Sequence, residues 1–148
     1  MHDEIPPNAY PHPVMVTPEL VDIQGVVANH EIVRIFIEAA MAHSASLGWD
    51  VGAYHRLGAW WMVRRHEVDY LQSARLDDAL VCYTWPCAYK KITAQRRHVL
   101  VRPADDAVIA RGLNHWVLID IESGRPCRIP IDLFQAFDPA HWVGGGGD

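Results

Sequence analysis

The stretch Asn29–Leu47, NHEIVRIFIEAAMAHSASL, decides the fold. Ile32, Ile35, Phe36, Ala39, Ala40, His43 and Leu47 recur at helical spacing, so one face of a helix is apolar. Val33, Ile37 and Met41 extend the apolar surface to other faces, and charge is confined to the stripe Glu31, Arg34 and Glu38. A helix that is apolar around most of its circumference is expected to be buried on most sides. Asn29 reads as its N-cap and Gly48 as its C-terminal stop.

After the helix the pattern changes to β-branched and aromatic runs separated by turns. Residues 60–70, 80–90, 93–102 and 108–121 read as four strands, with turns at Ala74–Asp78 and Pro103–Asp106. Pro86 implies a bulge or an edge within the second run. A preceding strand near Val14–Val21 and a short amphipathic segment at Ile131–Phe137 complete the pattern. One helix followed by consecutive strands is an α+β arrangement, and a single apolar helix of this length needs a sheet wrapped around it. Ala110 and Gly112, small residues within the last strand, would let the helix come close.

The chain has 148 residues, enough for one domain. Residues 1–13 hold four prolines and read as an irregular lead-in; residues 14–137 form the domain; residues 138–148, with Gly144–Gly147, read as a flexible tail. The lead-in has no basic start and no apolar run, so no signal peptide is expected, and no stretch of about 18 apolar residues predicts a membrane helix. Cys82, Cys87 and Cys127 form neither a CxxC pair nor a disulfide framework; buried or half-buried thiols in a reducing cytoplasm are the expectation. The net charge of −5 argues against a nucleic-acid partner. It conceals a basic middle, because residues 59–104 carry eight basic and four acidic side chains. Such a patch suits a small anionic ligand. His30-Glu31-Ile32-Val33-Arg34 begins like a zinc-binding HExxH, but Arg34 stands where the second histidine is needed, and no metal is expected. GxSxG, GxGxxG and phosphate-loop motifs are absent from the sequence.

The segment Asp22-Ile-Gln-Gly25-Val26-Val27-Ala-Asn29, placed directly before the helix, resembles the D-x-x-G-x-V-x-N/H motif of hotdog-fold acyl-CoA thioesterases. The resemblance is strongest to the 4-hydroxybenzoyl-CoA thioesterase-like branch. It continues through Val68–Leu71, Ala74–Asp78, Trp116–Asp120 and Arg128–Pro130, in order. Two departures bear on the acyl pocket. Ile32 stands where the family often has an aromatic, and Ala40 stands where an arginine commonly follows Glu38-Ala39.

The resemblance implies a hotdog fold of five or six antiparallel strands around the helix. It implies hydrolysis of an acyl or aryl thioester, with coenzyme A entering as part of the substrate and no separate cofactor. It also implies a homodimer or homotetramer with sites between subunits. Acyl-CoA and acyl carrier protein thioesters both fit as donor. In such a site Asp22 would act as base or nucleophile. The Val26 and Val27 amides, beside Gly25 and the helix start, would donate to the thioester oxygen. Asn29 would orient substrate or water. The same residues also fit a plainer role, with Asp22 and Asn29 as turn and helix caps. Glu38 reads as part of the solvated stripe, although some relatives use a helix glutamate. Lys90, Lys91, Arg96 and Arg97 form a basic cluster across a turn, either a solvated hairpin or, with Arg128, a contact for coenzyme A phosphates. Two alternatives stay open: a hotdog hydratase or dehydratase using His30 with Asp22, and a non-catalytic acyl-CoA-binding hotdog protein.

Overall fold

The computed structural model describes residues 2–137. The tail reading for 138–148 lies outside the described residues. The elements are β1 (Tyr10–Met15), a 3-10 turn (Pro18–Leu20), α1 (Asn29–Ser46), α2 (Val51–Leu57), β2 (Ala59–Tyr70), β3 (Ala79–Tyr89), β4 (Thr93–Arg102), β5 (Ala107–Asp120) and α3 (Ile131–Ala136). The strands form one antiparallel sheet in the order β1-β3-β4-β5-β2. Segregation of helix and strands, and thus the α+β class, is as the sequence predicts. The turns place Asp77 and Asp106 in the left-handed region, which aspartate tolerates better than most residues.

α1 packs across the sheet through Ile32, Ile35, Phe36, Ala39 and Ala40, all buried. The first four join Leu80, Cys82, Leu100, Ile109 and Ala110 from the strands. Gly112 sets how closely the helix approaches. A Cβ on it would meet the Phe36 ring, 2.8 Å from Cδ2. The expected contact between small strand residues and the helix is therefore real.

Burial on most sides of α1 is corrected. One face is buried, but Met41 and Leu47 are exposed and Ile37 is half-buried. The second apolar flank does not lie against the sheet; Ile37 and Met41 line a cavity instead. The capping assignment also moves. Ala28 is the N-cap, with no side-chain bond, and Asn29 is the first helical residue. Gly48 does end the helix, in the left-handed region at φ 91°.

The lead-in is corrected as well. Its last residues form β1, paired with β3 from Tyr10↔Thr84 to Met15↔Ala79, so the expected strand near Val14–Val21 begins earlier and ends at Met15. Pro11 and Pro13 share one alternation phase of an edge strand. There their missing N–H groups need not interrupt the ladder. Ile5 and Ala9 pack on the outer face of the sheet against Trp85, Cys87, Val99 and Val101. The bulge implied by Pro86 appears as a register shift between Pro86 and Ala88. Cys82 and Cys87 are buried free thiols and Cys127 is half-buried, as expected. Among the described residues no helix is long and apolar enough to cross a membrane, and no group of three or more potential metal ligands occurs.

Candidate active site

The loop before α1 folds on itself. The Gly25 N–H donates to the Asp22 carbonyl at 2.9 Å, and the Asp22 N–H to the Val26 carbonyl at 2.8 Å. Gly25 sits at φ 78° with open space where a Cβ would be, so the turn needs glycine for its conformation rather than for clearance. Asp22 Oδ1 accepts from the Gln24 N–H at 2.8 Å and, at 3.4 Å, from that of Val26. Its other oxygen, Oδ2, accepts no hydrogen bond among the described residues, and the side chain is exposed. The carboxylate thus both caps its turn and keeps one oxygen for a ligand.

The expected oxyanion donors are corrected. The Val26 N–H points at Asp22 Oδ1, and the Val27 N–H is bound to the Ala74 carbonyl at 2.8 Å. The Ala28 N–H is taken by Leu20 at 3.0 Å. The next amides, of Asn29 and His30, open α1 and have no intrahelical acceptor four residues back. Together with the positive end of the helix dipole they form the donor pair nearest Asp22 in the chain. The Asn29 side chain is exposed and makes no hydrogen bond among the described residues. Its carbonyl accepts from the Tyr70 hydroxyl at 3.2 Å, which brings a phenol to the helix start. The sequence reading gave Tyr70 no such place, since nothing local joins positions 41 residues apart. His30 faces Glu31 at 3.4 Å rather than Asp22. Glu38 is exposed and paired with Arg34 at 3.1 Å, in keeping with the solvated stripe.

The basic residues do not form one cluster. Lys90 and Lys91 lie exposed at the β3–β4 turn, and the Ile129 N–H donates to the Lys91 carbonyl at 2.9 Å, bringing exposed Arg128 beside them. Arg97 is exposed in β4, opposite Trp85. Arg96 is in the interior, 7% exposed. Neighbouring residues in a strand face opposite ways, so the pair is split across the sheet.

Arg96 Nη1 donates to His43 Nδ1 at 3.0 Å and to Thr84 Oγ1 at 3.2 Å, and its guanidinium lies 5.4 Å from the Phe137 ring centroid. Accepting that bond leaves His43 a neutral ring protonated on Nε2. Burial, with the neighbouring Arg96 charge, pushes its pKa down to about 3. Arg96 opens on a cavity of about 450 Å³ between the second half of α1, α2, the start of β2 and β4. Its wall is largely aromatic and aliphatic, with Trp49, Trp60, Trp61 and Trp116 among the lining residues. Ile37 and Met41 are two to three turns along α1 from Asn29, about 12–18 Å at the helical rise.

A second polar chain crosses the sheet beneath α1. Asn114 Nδ2 donates to His66 Nδ1 at 2.8 Å, so its Oδ1 receives His98 Nε2–H. The His98 ring stacks on Phe36 at 4.7 Å, and its buried Nδ1 has no partner. Burial lowers the His98 pKa to about 3, helped by the Arg96 charge. The folded chain therefore resists protonation that the unfolded chain accepts near the ordinary value of 6.5. Stability from this ring is complete above about pH 6.5 and declines as pH falls toward 3. A loss of about 1.5–2 kcal/mol from His98, and about as much again from His43, whose pKa is lowered in the same way, is expected between pH 6.5 and 5, above the range where carboxylates titrate. Urea unfolding at those two pH values checks it; equal stabilities would contradict it.

Helix, sheet order and loop carboxylate together define the hotdog fold, and the solved structures agree. A Staphylococcus aureus protein, SAV2348, solved in complex with CoA, superposes with a TM-score of 0.85 at 14% identity, covering 97% of this chain and 90% of that one. A 1,4-dihydroxy-2-naphthoyl-CoA thioesterase from Synechocystis, Slr0204, gives 0.82 at 16% identity, covering 90% and 98%. A structure described as an oleoyl thioesterase from Lactobacillus plantarum gives 0.83 at 20% identity; it matches 93% of this chain, which spans only 52% of that protein. No curated protein sequence matches. The model of the acyl-ACP thioesterase N-terminal domain matches residues 8–137, and the chain belongs to that family.

Proposed function

We propose that the chain hydrolyses acyl thioesters at Asp22. The carrying observation is a carboxylate oxygen left without a partner among the described residues, in the loop that runs directly into the first amides of α1. As general base, Asp22 Oδ2 takes a proton from water while the water oxygen bonds to the thioester carbon. The Asn29 and His30 amides receive the developing oxyanion. The C–S bond then breaks as the leaving thiolate takes the proton held on Asp22 Oδ2, giving thiol and free acid and restoring the carboxylate. As nucleophile, the same oxygen would form an acyl-enzyme anhydride that water opens.

The family match supports acyl carrier protein as the donor, while the CoA complex of the Staphylococcus protein supports CoA. Lys90, Lys91 and Arg128 form the surface basic group suited to either phosphopantetheine or CoA phosphates. The four tryptophans of the cavity keep aryl acyl groups, and with them the 4-hydroxybenzoyl-CoA-like branch, in the proposal. Ile32 is buried in the core and Ala40 in the cavity wall, so in this proposal only the second departure touches the acyl group, and both leave the Asp22 loop intact. Free, largely buried thiols support a reducing, cytoplasmic setting.

The proposed assembly is a dimer joined along β2. This edge strand is 12 residues long and carries exposed Trp60 and Met62; Ile23, beside Asp22, is fully exposed. A long open edge strand with exposed apolar side chains at one end is normally covered.

The test is thiol release from aryl-CoAs, acyl-CoAs and acyl carrier protein thioesters, with the oligomer measured by light scattering. Release from at least one class is expected, from a dimer or larger assembly. CoA binding with no release from any class would favour the non-catalytic reading.

A further inference from the structure

Arg96 is a buried cation without an anion. No carboxylate lies within ion-pair distance of it among the described residues. Its polar partners are the neutral His43 ring and the Thr84 hydroxyl, and an aromatic ring flanks it. Asp50, the carboxylate on the cavity wall, is exposed and caps α2 through the Ala53 N–H at 2.9 Å. A guanidinium removed from water is costly unless an anion meets it, and burial accordingly lowers its pKa. Five donors in a planar fork match the geometry of a planar or tetrahedral oxyanion, and a carboxylate is the one an acyl chain carries at its end. The rest of the wall offers little that would hold a charge, and a hydrocarbon chain ending there would leave the cation facing methyl groups.

We propose that the cavity takes an acyl group whose far end carries a carboxylate, and that Arg96 is the residue that reads it. The acyl part of this proposal rests on the thioesterase reading above; the carboxylate part rests on the cavity and Arg96 alone. Thr84 and His43 are positioning residues. Each occupies the same nitrogen, Nη1, and so fixes the fork with its other donors left over. The substrate class is then ω-carboxyacyl thioesters, whose hydrolysis yields a dicarboxylic acid and a thiol. A reaction that oxidises the end of an acyl chain, or that opens a ring to a dicarboxylate, would supply such a substrate.

Two measurements on the full chain separate this proposal from the thioesterase reading. In the first, hexadecanedioyl-CoA and palmitoyl-CoA are compared as substrates, a chain length set by His43, which holds Arg96 and lies about 21 Å along α1 from Asn29. The dicarboxylic thioester is expected to show kcat/KM about tenfold higher or more, the value of one charge-assisted pair. Arg96→Met should remove the preference and Arg96→Lys keep part of it. Equal or faster cleavage of palmitoyl-CoA by the unaltered chain overturns the proposal without any variant.

The second measurement needs no catalysis. The tryptophans of the cavity report binding of octanoate against octanamide by fluorescence. Octanoate is expected to bind about tenfold more tightly, and Arg96→Met to abolish the difference. If no thioester is cleaved but octanoate still wins through Arg96, the hydrolase reading fails and the carboxylate site stands. If octanamide binds as well as octanoate, the carboxylate site fails, whatever the chain hydrolyses.

Discussion

Asp22→Asn is expected to lower the rate of thiol release by about 10²–10⁴-fold, the usual contribution of a positioned base. The substitution is a clean one here. The amide oxygen can still accept from the Gln24 and Val26 N–H groups, so the turn keeps both bonds that Asp22 Oδ1 makes. What disappears is the charge and basicity of the free oxygen. The melting temperature should therefore stay near that of the unaltered chain while the rate collapses. Asp22→Ala loses the turn bonds too and should cost both rate and stability. A rate left intact by Asp22→Asn would reduce the residue to a turn cap and move the chemistry elsewhere.

Gly112→Val is expected to give a large loss of stability. Any Cβ at this position enters the Phe36 ring, with Cδ2 only 2.8 Å away. Phe36 cannot retreat easily, being fully buried and stacked on His98. Overpacking of this kind costs about 1–3 kcal/mol even for added methylenes, and a branched side chain against a fixed ring belongs at or above the upper end. For a chain of this size each kcal/mol lowers Tm by about 2–4 °C. The partner is named by the geometry, so Phe36→Leu should recover part of the loss. A double-mutant cycle would show the coupling. Additive effects would mean that α1 does not approach the sheet at Gly112.

The close approach at Gly112 was legible because a small residue in mid-strand has few other uses. The buried face of α1 and both ends of β4 were legible from periodicity. β1 was not, since prolines ordinarily mark loops, and only the pairing of Tyr10–Met15 with β3 shows an edge that tolerates them. α2 was missed although its marks are present. Asp50 caps it and Gly58 ends it at φ 79°, but seven residues are too few for a period to stand out.

At the site, Asp22 and the helix start were legible as a motif. The donors were not, because which amides are free depends on hydrogen bonds to Ala74 and Leu20, remote from the loop or outside the motif. Arg96 and Arg97 read as a basic pair in one dimension. In a strand they must part, and the alternation Ala94, Arg96, His98, Leu100 already marks the inward face. That signal was available in the sequence. The cavity was not, since it is assembled from two helices, four strands and the chain around Phe137.

The central claim is that Asp22 and the first amides of α1 cleave a thioester with water. Parallel quantification of free acid and free thiol, on purified protein with acyl-CoA and acyl carrier protein substrates, tests it most directly. The account predicts saturable release of both products in equal amounts. Bound thioester recovered intact, or consumption of an enoyl thioester without thiol, would contradict it and assign the fold to binding or hydration instead.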